Sequence, residues 1–126
     1  MKRLVVDASA LAAVIFQEPG FERILDELGS GSVLAPVLLK FELINIALKK
    51  ARRHPADAAA ILAALGVGLS GQWNIGWQDV EAVDVALVAV STGLTAYDAS
   101  YLWLAGALGA DLVTLDAELA RFDRAI

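Results

Sequence analysis

Four carboxylates interrupt or end apolar runs in this chain, and they restrict the folds open to it more than any other feature. Asp7 ends Leu4-Val5-Val6, Asp98 follows Leu94-Thr95-Ala96-Tyr97, and Asp116 follows Leu112-Val113-Thr114-Leu115. Glu42 sits between Phe41 and Leu43-Ile44. An ionised carboxylate beside buried apolar side chains loses hydration and needs a partner. The same segments supply too few cations for that role. A bound divalent metal would meet the need.

The charge balance agrees. The chain carries fifteen acidic and ten basic side chains. Set the four acids aside and eleven remain against ten, so much of the acidity lies in one proposed site. An acidic protein can still handle nucleic acid where metal ions mediate and its cations are grouped. The length of 126 residues suits one compact domain with one core. Hydrophobic residues make up 58% and mean hydropathy is +0.61, more than a small soluble core needs. The surplus reads either as an apolar contact surface for a subunit or partner, or as a core rich in Ala and Leu.

The longest uncharged stretch, 58–78, holds Gly66, Gly68, Gly71 and Gly76 with Ser70, Gln72 and Asn74. It does not read as a membrane helix of roughly 20 apolar residues. Lys2-Arg3 leads straight into Leu4-Val5-Val6-Asp7, too short an apolar run for a signal peptide. The expectation is a cytoplasmic protein that does not meet a membrane. Cysteine is absent, which excludes disulfides and thiolate metal sites.

The apolar pattern predicts strands at 3–7, 32–35 and 111–115, and a short strand at 73–75 in an otherwise irregular 66–76. Helices are predicted over 9–17, 21–28, 36–53, 57–65, 79–90, 96–108 and 117–123. Phe21, Ile24, Leu25 and Leu28 mark an amphipathic face. Pro36 suits a first helical turn, Asp79 and Thr95 suit N-caps, and Gly109 suits a helix end. Strands separated by helices pair in parallel through right-handed crossovers, which gives an α/β fold. Function in such sheets collects beyond the carboxyl ends of the strands. Asp7 and Asp116 fall at such ends, Asp98 in the first turn of a helix, and Glu42 in about the second turn of another.

Each acid also has a purely structural reading. Asp7 and Asp116 can cap helices, Asp98 can complete a capping box with Thr95, and Glu42 can be solvated. Together they read differently. Glu42 has Asn45 one turn on, a polar pair on a mostly apolar helix, and Tyr97 and Tyr101 bracket Asp98. Hard oxygen ligands without Cys suit magnesium or manganese rather than zinc. Crowded carboxylates raise one another's pKa unless a cation is bound. Such a metal site serves phosphoryl chemistry.

The segments Leu4-Val5-Val6-Asp7-Ala8-Ser9-Ala10-Leu11, Phe41-Glu42-Leu43-Ile44-Asn45, Leu94-Thr95-Ala96-Tyr97-Asp98-Ala99-Ser100-Tyr101 and Leu112-Val113-Thr114-Leu115-Asp116 resemble a PIN-domain protein. More narrowly, they resemble the toxin of a VapBC-type toxin–antitoxin pair. The resemblance rests on the ordered set, spread over nearly the whole chain. It implies a three-layer sandwich, with a short central parallel sheet flanked by helices, in one domain over 1–126. It further implies a metal-dependent endoribonuclease, in which Asp7, Glu42, Asp98 and Asp116 hold Mg2+ or Mn2+. Ser9 and Thr114 match small hydroxyl positions that support the ligands, and Asn45 matches a polar position on the Glu42 helix. The implied reaction is in-line attack of water on an RNA phosphodiester with no covalent intermediate. The implied partners are the RNA substrate, a cognate antitoxin and a second copy in a homodimer.

The remaining features read as structure. Gly66-Val67-Gly68-Leu69-Ser70-Gly71 spells a dinucleotide fingerprint but follows a helix rather than a strand, so it reads as a helix-ending loop. Lys49, Lys50, Arg52 and Arg53 suit a helix C-terminus and also an RNA backbone. His54 reads as a solvated turn residue, Glu118 and Asp123 as surface acids, and Trp73, Trp77 and Trp103 as packing residues. Two other functions fit parts of the pattern. A catalytically silent PIN-like binding module would keep fold and partner surface without cleavage. A phosphatase or receiver domain is disfavoured, because Asp7-Ala8-Ser9 lacks a second Asp and no lysine follows 111–115.

Overall fold

The computed structural model describes residues 2–123. The elements run β1 (Lys2–Val6), α1 (Ala8–Phe16), α2 (Phe21–Leu28), β2 (Gly31–Pro36), α3 (Leu38–Arg53), a 3-10 turn (Pro55–Asp57), α4 (Ala58–Leu69), β3 (Gly76–Gln78), α5 (Ala82–Thr92), α6 (Ala96–Leu108), β4 (Asp111–Val113) and α7 (Ala117–Ala120). The four strands form one parallel sheet in the order β3-β2-β1-β4.

β1 is an interior strand, with Leu4 opposite Val33 on one side and Asp111 on the other. Leu4, Val5 and Val6 are at most 1% exposed, so this strand is covered on both faces. That explains why it reads as an unbroken apolar run rather than an alternating one. The chain steps from β1 to β2 to β3 in one direction, then returns across the sheet to pair β4 with β1. Right-handed crossovers put the connections of the first two steps on one face and that of the return step on the other. The packing agrees: α1 contacts α2, α3 and α4, whereas α5 contacts α6. Helices therefore flank the sheet, and Leu11, Ile24, Leu39, Leu43, Tyr101 and Leu102 fill the core against it. The reversal of direction lies between β1 and β4, the kind of switch point where open α/β sheets place ligands.

Several local expectations are corrected. β3 occupies 76–78 rather than 73–75, because Gly76, Trp77 and Gln78 pair with Leu34, Ala35 and Pro36. Asp79 is not an N-cap. The strand carries the chain past Gln78, and α5 starts only at Ala82, with Glu81 at the cap position and no side-chain cap bond. Pro36 ends β2 instead of opening α3, which begins at Leu38. The glycine-rich 66–69 is not a loop but the last part of α4. Gly68 is needed there for close packing: a Cβ at this position would lie 2.5 Å from Ile15 Cδ1 of α1. The three tryptophans pack against the core, as expected.

Candidate active site

β1 and β4 are neighbours, so the residues leaving their carboxyl ends meet. The Asp7 N–H donates to Val113 O at 3.2 Å, which extends the ladder by one step. Asp7 then caps α1, its Oδ1 accepting the Ala10 N–H at 2.9 Å. Ser9 Oγ donates to the same Oδ1 at 2.8 Å, and Thr114 Oγ1 donates to Oδ2 at 2.5 Å. Each hydroxyl has one proton to give, and both protons go to Asp7. In return, Ser9 Oγ accepts the Leu115 N–H at 3.0 Å and Thr114 Oγ1 accepts the Asp116 N–H at 2.9 Å. Two hydroxyls thus tie a buried carboxylate to the turn that carries Asp116. Asp116 Oδ1 accepts the N–H groups of Glu118 and Leu119 and caps α7.

The other two acids arrive on helices. α3 follows β2, so its early residue Glu42 lies near the carboxyl edge of the sheet. α6 leads into β4 and therefore begins at the edge where β4 ends. Thr95 caps it, accepting the Asp98 N–H at 3.2 Å. Tyr101, one turn further on and 1% exposed, donates its hydroxyl to Glu42 Oε1 at 2.5 Å. α1, α3, α6 and α7 thus all start on one edge, and their amino-terminal dipoles favour negative charge there.

Burial lifts the Asp7 carboxyl above its ordinary value. The hydrogen bonds from Thr114, Ala10 and Ser9 oppose this, and the Asp116 charge adds to it. Burial also raises Glu42, with the Tyr101 bond opposing and the charges of Asp98 and Asp7 adding. Asp98 is raised by burial and then by Asp116, Asp7 and Glu118. The Tyr101 phenol is pushed far up by burial and by the carboxylate it serves, so it remains a donor. The four acids therefore share one repulsive field, and among the described residues no ion pair reaches any of them. As the side chains stand, no three acids among the described residues are grouped closely enough to hold one ion. Magnesium usually takes one or two carboxylates and completes its shell with water. An all-oxygen donor set with uncompensated charge fits such an ion.

A PIN domain family model matches residues 4–125. The chain belongs to the PIN-domain family. It is similar to Ribonuclease VapC3 of Pyrobaculum aerophilum, 33% identical over 122 residues that cover 94% of this chain and 92% of that protein. Among solved structures it resembles the crystal structure of PAE2754 from Pyrobaculum aerophilum. The TM-score is 0.76 and the identity 32%, over 94% of this chain and 82% of the other. The parallel sheet flanked by helices is the arrangement that the PIN resemblance implied.

Within this PIN domain the residues singled out in the sequence separate. Asp7, Ser9 and Thr114 form one hydrogen-bonded group, and Glu42, Asp98 and Asp116 interact with it or with one another through charge. Asn45 and Lys49 line a groove that also includes Glu42. Lys50 does not join them: it pairs with Glu18 at 2.5 Å and lies 5.3 Å from the Phe16 ring centre. Arg52 and Arg53 are exposed at the end of α3. Two contacts had no reading in the sequence. Tyr101 was visible only as an aromatic one turn from Asp98, with nothing to link it to Glu42. Arg23 of α2 donates to Thr114 O at 3.0 Å, and no local pattern marks it.

Proposed function

We propose that this PIN domain is a metal-dependent endoribonuclease toxin, hydrolysing RNA phosphodiester bonds and silenced by a cognate antitoxin. The observation that carries this reading is the shared, uncompensated field of Asp7, Glu42, Asp98 and Asp116 on one sheet edge. The ribonuclease name of a relative matched over nearly its whole length supports the substrate class. Mg2+ or Mn2+ would be held by the four acids, directly or through water. When bound, it would lower the pKa of an attacking water and stabilise charge on the phosphoryl oxygens. Ser9 and Thr114 would fix the direction of both Asp7 oxygens. Tyr101 occupies Glu42 Oε1, so Oε2 would be the oxygen that Glu42 offers to the metal or its water. Asp98, less buried than Asp7, would face the substrate.

Surface features support the partners. Val83, Leu87 and Val90 of α5 recur at helical spacing and are 62–85% exposed, an apolar stripe suited to a second copy in a homodimer. Between α1, α2 and α4 lies a groove of about 340 Å³, lined by Val14, Ile15, Phe21, Leu25, Val67 and Trp73, suited to an antitoxin segment. Among the described residues no single helix is long and apolar enough to cross a membrane.

The test is cleavage of single-stranded RNA by the purified protein with Mg2+, with EDTA, and with Asp7→Asn or Asp98→Asn. Cleavage equal in all of them would remove the proposed roles. The spacing of the acids favours one other reading, a catalytically silent PIN-fold binding module. Calorimetric titration with Mn2+ bears on the choice, since a silent module need not bind the ion.

A further inference from the structure

We propose that the groove between α3 and the start of α6 is a base subsite, which takes one unpaired nucleobase of the RNA beside the bond to be cut and stacks it against Phe41 and Tyr97. This inference rests on the ribonuclease reading and deepens it. Phe41 is 65% and Tyr97 61% exposed, and both line the same groove of about 540 Å³. Scattered exposed aromatics need no explanation, but these two are paired and placed. Each is the chain neighbour of a site acid, Glu42 or Asp98, and Glu42 itself forms part of the groove wall. The groove therefore opens onto the candidate active site.

Its chemistry suits a nucleotide. Leu38 and Ile46 give an apolar floor. The Asn45 amide can both donate to and accept from a base edge. Lys49 stands two turns after Glu42 on the same helix face, about 10 Å along the axis at 1.5 Å per residue. Arg52 continues that line one turn on, so a cation track leads away from the acids, as an RNA backbone requires. A duplex hides the faces of its bases, so such a groove selects single strands. Because the groove includes a carboxylate, an amide and an ammonium, it is a poor apolar seat for a second copy. The α5 stripe offers a better one.

The test uses the full chain and its Phe41→Ala, Tyr97→Ala, Phe41→Trp and Lys49→Ala variants. The probe is a single-stranded oligoribonucleotide of about ten nucleotides, carrying 2-aminopurine at successive positions, in Ca2+ buffer. Wild type is expected to quench the fluorophore at one position. Phe41→Ala and Tyr97→Ala should lose that quenching and bind roughly 5- to 100-fold more weakly, the range for loss of one aromatic stack. Phe41→Trp should keep both the quenching and the affinity. Lys49→Ala should keep the quenching but reduce the salt dependence of binding. In Mg2+, KM for cleavage should rise more than kcat falls. RNA that binds and is cut with no quenched position would overturn the proposal. Alanine variants that bind like wild type would overturn it too. So would variants that turn a dimer into a monomer yet keep RNA affinity, which would assign the groove to a second copy. If wild type neither binds nor cuts RNA, the ribonuclease reading itself fails and the subsite falls with it.

Discussion

Tyr101 and Glu42, 59 residues apart, are joined by a hydrogen bond of 2.5 Å from a phenol in the core to a carboxylate at the site. The bond fixes one oxygen of Glu42 and orients the other. Tyr101→Phe keeps the ring and removes only the donor. It is expected to reduce RNA cleavage by roughly 10- to 100-fold, the usual effect of losing a partner that orients a site residue. The stability cost should stay near 1 kcal/mol, because Glu42 is half-buried and water can replace the hydroxyl. Tyr101→Ala should instead cost about 3–5 kcal/mol through the cavity it leaves. Denaturant melts and initial rates on the same preparations separate orientation from packing.

Thr114 serves Asp7 and Asp116 with one oxygen. Thr114→Val preserves its shape but leaves Asp7 Oδ2 and the Asp116 N–H without partners. The expected loss is about 1–3 kcal/mol for each unpaired group, measured by urea unfolding. Thr114→Ser retains the hydroxyl and should keep most of the stability and cleavage. A valine variant as stable and active as wild type would show that the bond to Asp7 is idle.

Asp7, Glu42 and Asp98 all have folded-state values above the ordinary 3.8 and 4.5. Between those ordinary values and the raised ones, the folded protein binds more protons than the unfolded chain. The contribution of these groups is thus fully present below the ordinary values and is lost as pH rises through the raised ones. Metal-free protein is expected to melt at a higher temperature in mildly acidic than in neutral buffer. Added Mg2+ or Mn2+ should raise Tm at neutral pH and do little in acid, since the ligands must be deprotonated to bind. Asp98→Asn should flatten the pH dependence and also blunt the metal-induced rise. Scanning calorimetry across pH, with and without EDTA, checks all three.

Gly66 and Gly68 share α4 but differ in surroundings. A Cβ at Gly66 meets nothing within 4 Å, whereas one at Gly68 meets Ile15 at 2.5 Å. Gly66→Ala is expected to stabilise by about 0.5–1 kcal/mol through helix propensity. Gly68→Ala should forfeit that gain to overpacking, on the order of 1–3 kcal/mol. Ile15→Ala should narrow the difference between the two, read from chemical denaturation of the double variants.

The parts of the molecule visible in the sequence were those that local chemistry encodes. Val6-Asp7 and Leu115-Asp116 announced themselves because a buried parallel strand is a continuous apolar run and a helix start wants a cap. The same residues cap α1 and α7 and carry the carboxylates of the proposed site, so the structural and functional readings are compatible. Pairing across distance was not visible. Nothing near Tyr101 specifies Glu42, and nothing near Arg23 specifies Thr114. β3 was misplaced because an edge strand of three residues is defined by its partner Leu34–Pro36 rather than by its own pattern. α4 ran through two glycines because packing against Ile15 outweighs the weak propensity that argued for a loop.

Pairing between β1 and β4 has a consequence for the order in which the candidate site is assembled. The hydroxyl that completes the Asp7 group belongs to Thr114, 107 positions later, and Asp116 comes after that. A nascent chain still short of these residues has β1 but no β4 beside it. On the proposed function, no RNA can be cut until synthesis has passed Asp116.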